Sequence, residues 1–140
     1  LALMTQNYHY LHVNKDLFKT ILVIDDEPML RYTLRELLVD LGFQVLQATH
    51  GQQGIEILEQ EHVDLVLLDM VMPVLSGMEV LYKMRESHIE TPVVLSSGRA
   101  RGLDRAELEQ LGVLGILNKP YSMVQLSEIL ETVPTLHCGR

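Results

Sequence analysis

The sequence has one cysteine, Cys138, near its C-terminus. A single thiol excludes an internal disulfide and fits a reducing compartment. No apolar run approaches the roughly 20 residues that span a bilayer. Leu1-Ala2-Leu3-Met4 is too short for a signal-peptide core, and no basic residue precedes it. A cytoplasmic protein without membrane insertion is therefore expected. Basic residues are scarce: Lys and Arg number 11 against 19 Asp and Glu, a formal net charge of -8. That balance repels a nucleic-acid backbone, so no direct DNA or RNA binding is expected. A Gly-rich phosphate loop ending in Lys-Ser/Thr is absent, as is GxGxxG, which argues against nucleotide binding.

The chain has 140 residues, 47% of them apolar and 21% charged, which suits one globular domain with a sizeable core. Residues 1–18 read as a polar N-terminal extension. His9 and His12 there share a helix face if one forms; solvated side chains on a chain end are the ordinary alternative to a metal pair. Residues 19–134 read as the folded domain and 135–140 as a short tail. The opening Leu is compatible with a processed, cloned or excised boundary.

Four apolar runs carry the chemistry. Ile21-Leu22-Val23-Ile24 ends in Asp25 and Asp26. Val63-Asp64-Leu65-Val66-Leu67-Leu68 ends in Asp69. Pro92-Val93-Val94-Leu95 ends in Ser96 and Ser97. Val113-Leu114-Gly115-Ile116-Leu117 is followed by Asn118-Lys119-Pro120. Strand-like runs alternate with segments of helical period, which predicts βαβ units and a parallel sheet. Its strand ends all point one way, and ligands bind in the crevice there. Three acids, a hydroxyl and a lysine then converge on one small site. Mg²⁺ takes oxygen ligands and commonly one or two carboxylates. A lone carboxylate, here Asp69, can also act as a nucleophile toward a phosphoryl group.

The intervening helices are expected from Pro28 to Gly42, Gly51 to Glu61, near Ser76, Leu103 to Leu111, and Ser122 to Thr132. Pro28 suits a first helical position, and Ser76-Gly77-Met78-Glu79 fits a capping box. Leucine stripes at helical spacing and all seven Met residues read as core filler or termini. Each site residue also has a plain structural role. Acids before a helix stabilise its dipole, and a lysine before proline or a serine at a strand end is ordinary. Their coincidence at successive strand ends is what favours a site.

On Val23-Ile24-Asp25-Asp26-Glu27-Pro28, Asp69-Met70-Val71-Met72-Pro73 with Gly77, Ser97-Gly98 and Lys119-Pro120, the chain resembles the CheY-like receiver domain of two-component response regulators. The resemblance covers about residues 19–133. It implies an α/β, flavodoxin-like, doubly wound five-stranded parallel sheet with five helices; the strand order 2-1-3-4-5 is carried over from the family. It implies that Asp69 accepts a phosphoryl group from a histidine kinase or histidine phosphotransfer protein. Asp26 and Asp69 would bind Mg²⁺ directly, Asp25 largely through water, and Val71 through its backbone carbonyl. Ser97, five residues after Pro92, would meet the phosphoryl oxygen, and Lys119 would pair with it. The Lys119–Pro120 bond is expected to be cis. Homodimers through helix four, strand five and helix five also occur in the family.

The chain departs from the family in two places. Ile116 stands where an aromatic ring commonly changes rotamer, and Tyr121 fills a site that is commonly aromatic without replacing that switch. Val71 and Arg99 occupy the positions that influence water's access to the acyl phosphate. Two rival readings follow. One is a receiver-like interaction module that is never phosphorylated. The other is a Mg²⁺-dependent aspartate-nucleophile phosphatase, which needs an acid where Val71 stands; a non-enzymatic signalling role is expected instead.

Overall fold

A computed structural model describes residues 19–98 and 102–136. The expectations about residues 1–18, Arg99 and Cys138 lie outside the described residues. The elements run β1 (Thr20–Ile24), α1 (Pro28–Asp40), β2 (Gln44–Ala48), α2 (Gly51–Gln60), β3 (Leu65–Asp69), α3 (Gly77–Glu86), β4 (Val93–Ser97), α4 (Arg105–Gln110), β5 (Val113–Asn118) and α5 (Met123–Glu131). A 3₁₀ turn follows at Pro134–Leu136. All strand pairs are parallel and the order is β2-β1-β3-β4-β5. The α/β doubly wound sheet with five helices is as expected.

Strand alternation divides the core into two layers. Leu22, Ile24, Val66, Leu68, Val93 and Leu95 face α2, α3 and α4, meeting Ile55, Val80, Leu81, Met84 and Leu108. Ile21, Val23, Leu65, Leu67 and Val94 face α1 and α5, meeting Leu34, Leu38, Leu126 and Leu130. Central β3 is buried along its whole length, which explains why its sequence is apolar at successive positions rather than at alternate ones. Burying each such side chain contributes roughly 1.5–3 kcal/mol before the cost of ordering the chain.

The helices begin as their sequences dictate. Ser76 accepts from Glu79 N–H at 3.3 Å, and Glu79 Oε1 accepts from Ser76 N–H at 3.2 Å. Ser122 and Gln125 form the same reciprocal cap on α5. Asp104 accepts from Ala106 N–H at 3.0 Å and starts α4 two residues later than the periodicity predicts. The short α4 buries only Leu108 of its expected stripe. Met29 and Met123 are exposed rather than core filler. Leu136 is buried and Thr135 Oγ1 donates to Asp64 O at 2.7 Å, so these two residues, read as tail, pack on the domain.

Arg85 ties the end of α3 to the two turns beside it. Its guanidinium donates to Leu111 O at 2.6 Å, to Thr91 O at 3.1 Å and to Ile89 O. Gly112, at φ +82, passes so close that a Cβ there would lie 2.2 Å from Arg85 Nη2. Arg85→Met keeps much of the stem but removes three charge-assisted hydrogen bonds. We expect a loss of about 2–3 kcal/mol in urea unfolding; a loss under about 0.5 kcal/mol would show that water replaces the guanidinium freely.

Candidate functional site

Strand alternation places Asp69 and Ser96 on the α1–α5 side of the sheet and Ser97 on the other, and Asp25 and Asp26 follow the end of β1. Asp25 and Asp69 are buried, Asp26 is exposed, and one oxygen of each lies within 4.8 Å of the others. Lys119 Nζ sits 3.2 Å from Asp69 Oδ1 and 3.5 Å from Asp25 Oδ2. The backbone holds these groups in place. Lys119 N–H donates to Ser97 O at 2.8 Å, and Met70 N–H donates to Ser96 O at 3.0 Å. Asp25 Oδ1 accepts from Glu27 N–H at 2.9 Å, and Asp69 Oδ1 accepts from Val71 N–H at 3.3 Å. The Lys119–Pro120 peptide is cis, as expected.

The remaining groups shape the rim. Ser97 is buried at the end of β4, and Val71 is 77% exposed beside the acid cluster. Gly77 lets α3 start against the acceptor loop: a Cβ there would lie 2.7 Å from Asp69 O. Val74, in the same loop, is β-branched yet has φ 71, a conformation that costs about 1–2 kcal/mol. Ile116 is partly buried against the α2–α3–α4 core. Arg31, missed in the sequence, donates to Asp25 O at 2.8 Å and braces the end of β1.

Charge governs the site. Burial, then the charge of Asp25, raises the Asp69 pKa above the ordinary carboxylate range, and Lys119 only partly opposes them. Burial is the largest single influence on Lys119 and lowers its pKa, but Asp25 and Asp69 together outweigh it and the net shift is upward. The ion pair alone would lower Asp69; the shift is upward because one ammonium is shared between two acids in a buried place. Three carboxylates against one lysine leave excess negative charge. A hard divalent cation fits that donor set of carboxylate oxygens.

A parallel doubly wound sheet with such an acidic crevice at its strand ends defines a signalling phosphoacceptor class. The chain belongs to the response regulator receiver domain family, whose model matches residues 21–131. It is 40% identical over 102 residues to the transcriptional regulatory protein CpxR of Klebsiella pneumoniae, covering 73% of this chain and 43% of CpxR. It is 34% identical over 113 residues to the autoinducer 1 sensor kinase/phosphatase LuxN of Vibrio campbellii, covering 79% of this chain and 13% of LuxN. The chain thus spans less than half the length of either relative. Among solved structures, it matches the response regulator TrrA of Thermotoga maritima in complex with Mg²⁺-BeF, with TM-score 0.73 and 28% identity over 83% of this chain and 99% of that one. The chemotaxis protein CheY4 of Vibrio cholerae shares the fold at TM-score 0.76 and 24% identity, over 83% of this chain and 98% of that one. Receiver domains bind Mg²⁺ in an acidic pocket, take phosphate from histidine kinases, and are mainly signalling modules. No helix among the described residues is long and apolar enough to cross a membrane.

The upward shift of Asp69 has a consequence for stability. Folding holds its pKa above the unfolded value, so the ionised form is disfavoured in the fold. The cost is absent at low pH, where Asp69 is protonated in both states, and is fully present above the folded pKa. Asp69→Asn should therefore raise the metal-free Tm at pH 7 by about 2–5 °C, with the gain shrinking as pH falls through the carboxylate range. Thermal unfolding in chelator at several pH values checks this; a Tm lowered at pH 7 would contradict it.

Proposed function

We propose that Asp69 is the phosphoacceptor of a His-Asp phosphorelay. The observation that carries this is the Asp69 carboxylate at the end of β3, 3.2 Å from Lys119 Nζ and clustered with Asp25 and Asp26. Asp26 and Asp69 would hold Mg²⁺ directly and Asp25 through water, with the Val71 carbonyl completing the protein ligands. The cation would neutralise charge on the incoming phosphoryl group. Lys119 pairs with a phosphoryl oxygen and Ser97 donates its hydroxyl to another. The donor is a phosphohistidine on a sensor kinase or a phosphotransfer protein. We take residues 19–136 as the working receiver unit and the cytoplasm as its setting. The relatives include both a sensor kinase and a transcriptional regulator, so a receiver cut from a hybrid kinase, one cut from a larger regulator, and a free-standing protein all fit. A homodimer through α4, β5 and α5 fits the same reading.

Acetyl phosphate with Mg²⁺, followed by intact mass, tests the chemistry. Wild type should gain one phosphate-sized addition and Asp69→Asn none. An addition of equal size on both would move the acceptor elsewhere; none on wild type would favour the unphosphorylated module. The exposed Val71 offers no polar group to orient an attacking water. The acyl phosphate should therefore be long-lived, and Val71→Asn should shorten its lifetime several-fold. Equal lifetimes would contradict that role.

Ile116 offers no ring to swing, so we infer that the phosphorylated state is transmitted through the Ser97–Gly98 loop and α4. Amide resonances between residues 97 and 111 should shift on adding Mg²⁺ and beryllofluoride. Shifts confined to the acid cluster would sink this route.

A further inference from the structure

At the end of the sheet opposite the acid crevice, a groove opens between the C-terminal ends of α1 and α5. Leu41, Phe43, Leu130 and Leu136 line it, with Ser127 and Glu131. Its volume is about 240 Å³. A cavity of roughly 150 Å³ takes a benzene-sized group, so there is room here for more than one apolar side chain. Phe43, Leu130 and Leu136 belong to the α1–α5 core, so the groove is a break in the cover of that core. Its rim is negative. Asp40 ends α1 and Glu131 ends α5, and neither helix has a basic residue in its last turn to offset the dipole there. A matching occupant is apolar where it meets the walls and cationic beside them.

The chain itself arrives at this groove. Lys19 O accepts from Gln44 N–H at 2.9 Å, and Thr20 is in register with Gln44. Continued by one residue, that register sets Lys19 across from Phe43, a wall of the groove. Residues 11–18 lead into this point and lie outside the described residues. Their sequence alternates. Leu11, Val13, Lys15, Leu17 and Lys19 fall on one side of an extended chain, and His12, Asn14, Asp16 and Phe18 on the other. β1 decides which side is which, because Ile21 and Val23, of the same parity as Leu17, face α1 and α5. The side with three aliphatic residues and two lysines is therefore the one that the groove requires. At about 3.3 Å per residue, Leu17 lies within roughly 7 Å of Lys19 and Val13 within roughly 20 Å.

We propose that this groove is a docking site for the chain's own residues 11–18, taken up in extended form, with Leu17 as the first anchor and Lys15 beside the acidic rim. Docking covers apolar surface that the folded elements leave open, and it sets lysines against two helix C-termini. Residues 137–140 follow Leu136 and are the other nearby stretch of the chain. They are His-Cys-Gly-Arg, with no Leu, Ile, Val or Phe to fill the opening. The docked segment sits at the opposite end of the strands from Asp69, so it fixes the course of the chain before β1 without entering the acid crevice.

The test uses the full 140-residue chain with labelled Leu and Val methyl groups. Magnetisation transfer should connect the Leu17 methyls with the Phe43 ring. Amide exchange of residues 13–17 should run at least about tenfold slower than in a free chain. Leu17→Asn alters no wall of the groove and should return that exchange to within about twofold of the free-chain rate. Lys15→Glu should weaken the slowing about threefold, the effect of reversing one charge beside the helix ends. Ser127→Trp fills the groove from α5 and should release the segment as Leu17→Asn does, which simple lengthening of β1 would not predict. Free-chain exchange in wild type with no transfer to Phe43 overturns the proposal. So does transfer to Phe43 from residues 137–140 alone, which makes the tail the occupant. A sample mixing labelled and unlabelled chains separates a second copy: transfer only between chains overturns docking within one chain. If Ser127→Trp does not fold, Leu17→Asn decides, and slowing that survives in it overturns the proposal.

Discussion

Lys119 is shared between two buried acids, and the arrangement around it follows from that sharing. Its ammonium lies 3.2 Å from Asp69 and 3.5 Å from Asp25. One positive charge cannot satisfy three carboxylates in a place with little water. The deficit shows as an Asp69 that resists ionisation and a Lys119 that holds its proton. On the proposed reading, a cation would relieve the repulsion and an added phosphoryl group would meet positive charge. Without such a cation the electrostatics of the site stay incomplete.

The sheet gives this incomplete cluster its precision. β3 is enclosed on both faces, so Asp69 ends a strand with no freedom to shift. The neighbouring strands end just before Asp25 and Lys119, whose backbone N–H groups donate to Ala48 O and Ser97 O and hold them beside Asp69. Gly77 then lets α3 close over the acceptor backbone, where any side chain would meet Asp69 O. Strain is held in the same loop at Val74, whose positive φ is uncommon for a β-branched residue. The cores on either side supply the stability that tolerates both the strain and the like charges.

Much of this was legible in the sequence, and the misses have physical reasons. The apolar runs and their terminal acids marked the strand ends, because enclosed parallel strands must be apolar throughout. Ser76 and Glu79 marked a helix start because a capping box is a local device. The length of α4 was not legible: its stripe is weak, and Asp104 and Gly112 set its limits through caps and turns. Met29 and Met123 were misread because composition and spacing do not show whether another layer covers a residue. Leu136 was misread because Pro134 ends α5 without ending the packing. The strand register of Ser96 with Asp69 was hidden for another reason. The family motif singles out Ser97, whereas counting alternation along β3 and β4 brings out the residue before it.

The absence of a ring at residue 116 bears on how a change at Asp69 leaves the pocket. Ile116 is held in the α2–α3–α4 core and has no polar atom with which to sense the acceptor's charge. The C-terminal end of α4 is fastened, since Arg85 grips Leu111 O. Midway, the Tyr82 hydroxyl donates to Glu107 and links α3 to α4. At the other end of α4, Asp104 caps the first turn, and Ser97 is buried at the end of β4. The exposed Tyr82–Glu107 contact costs far less to break than repacking the buried Leu108. On the opposite face, Ser96 and Tyr121 carry hydroxyls where the surrounding core is apolar.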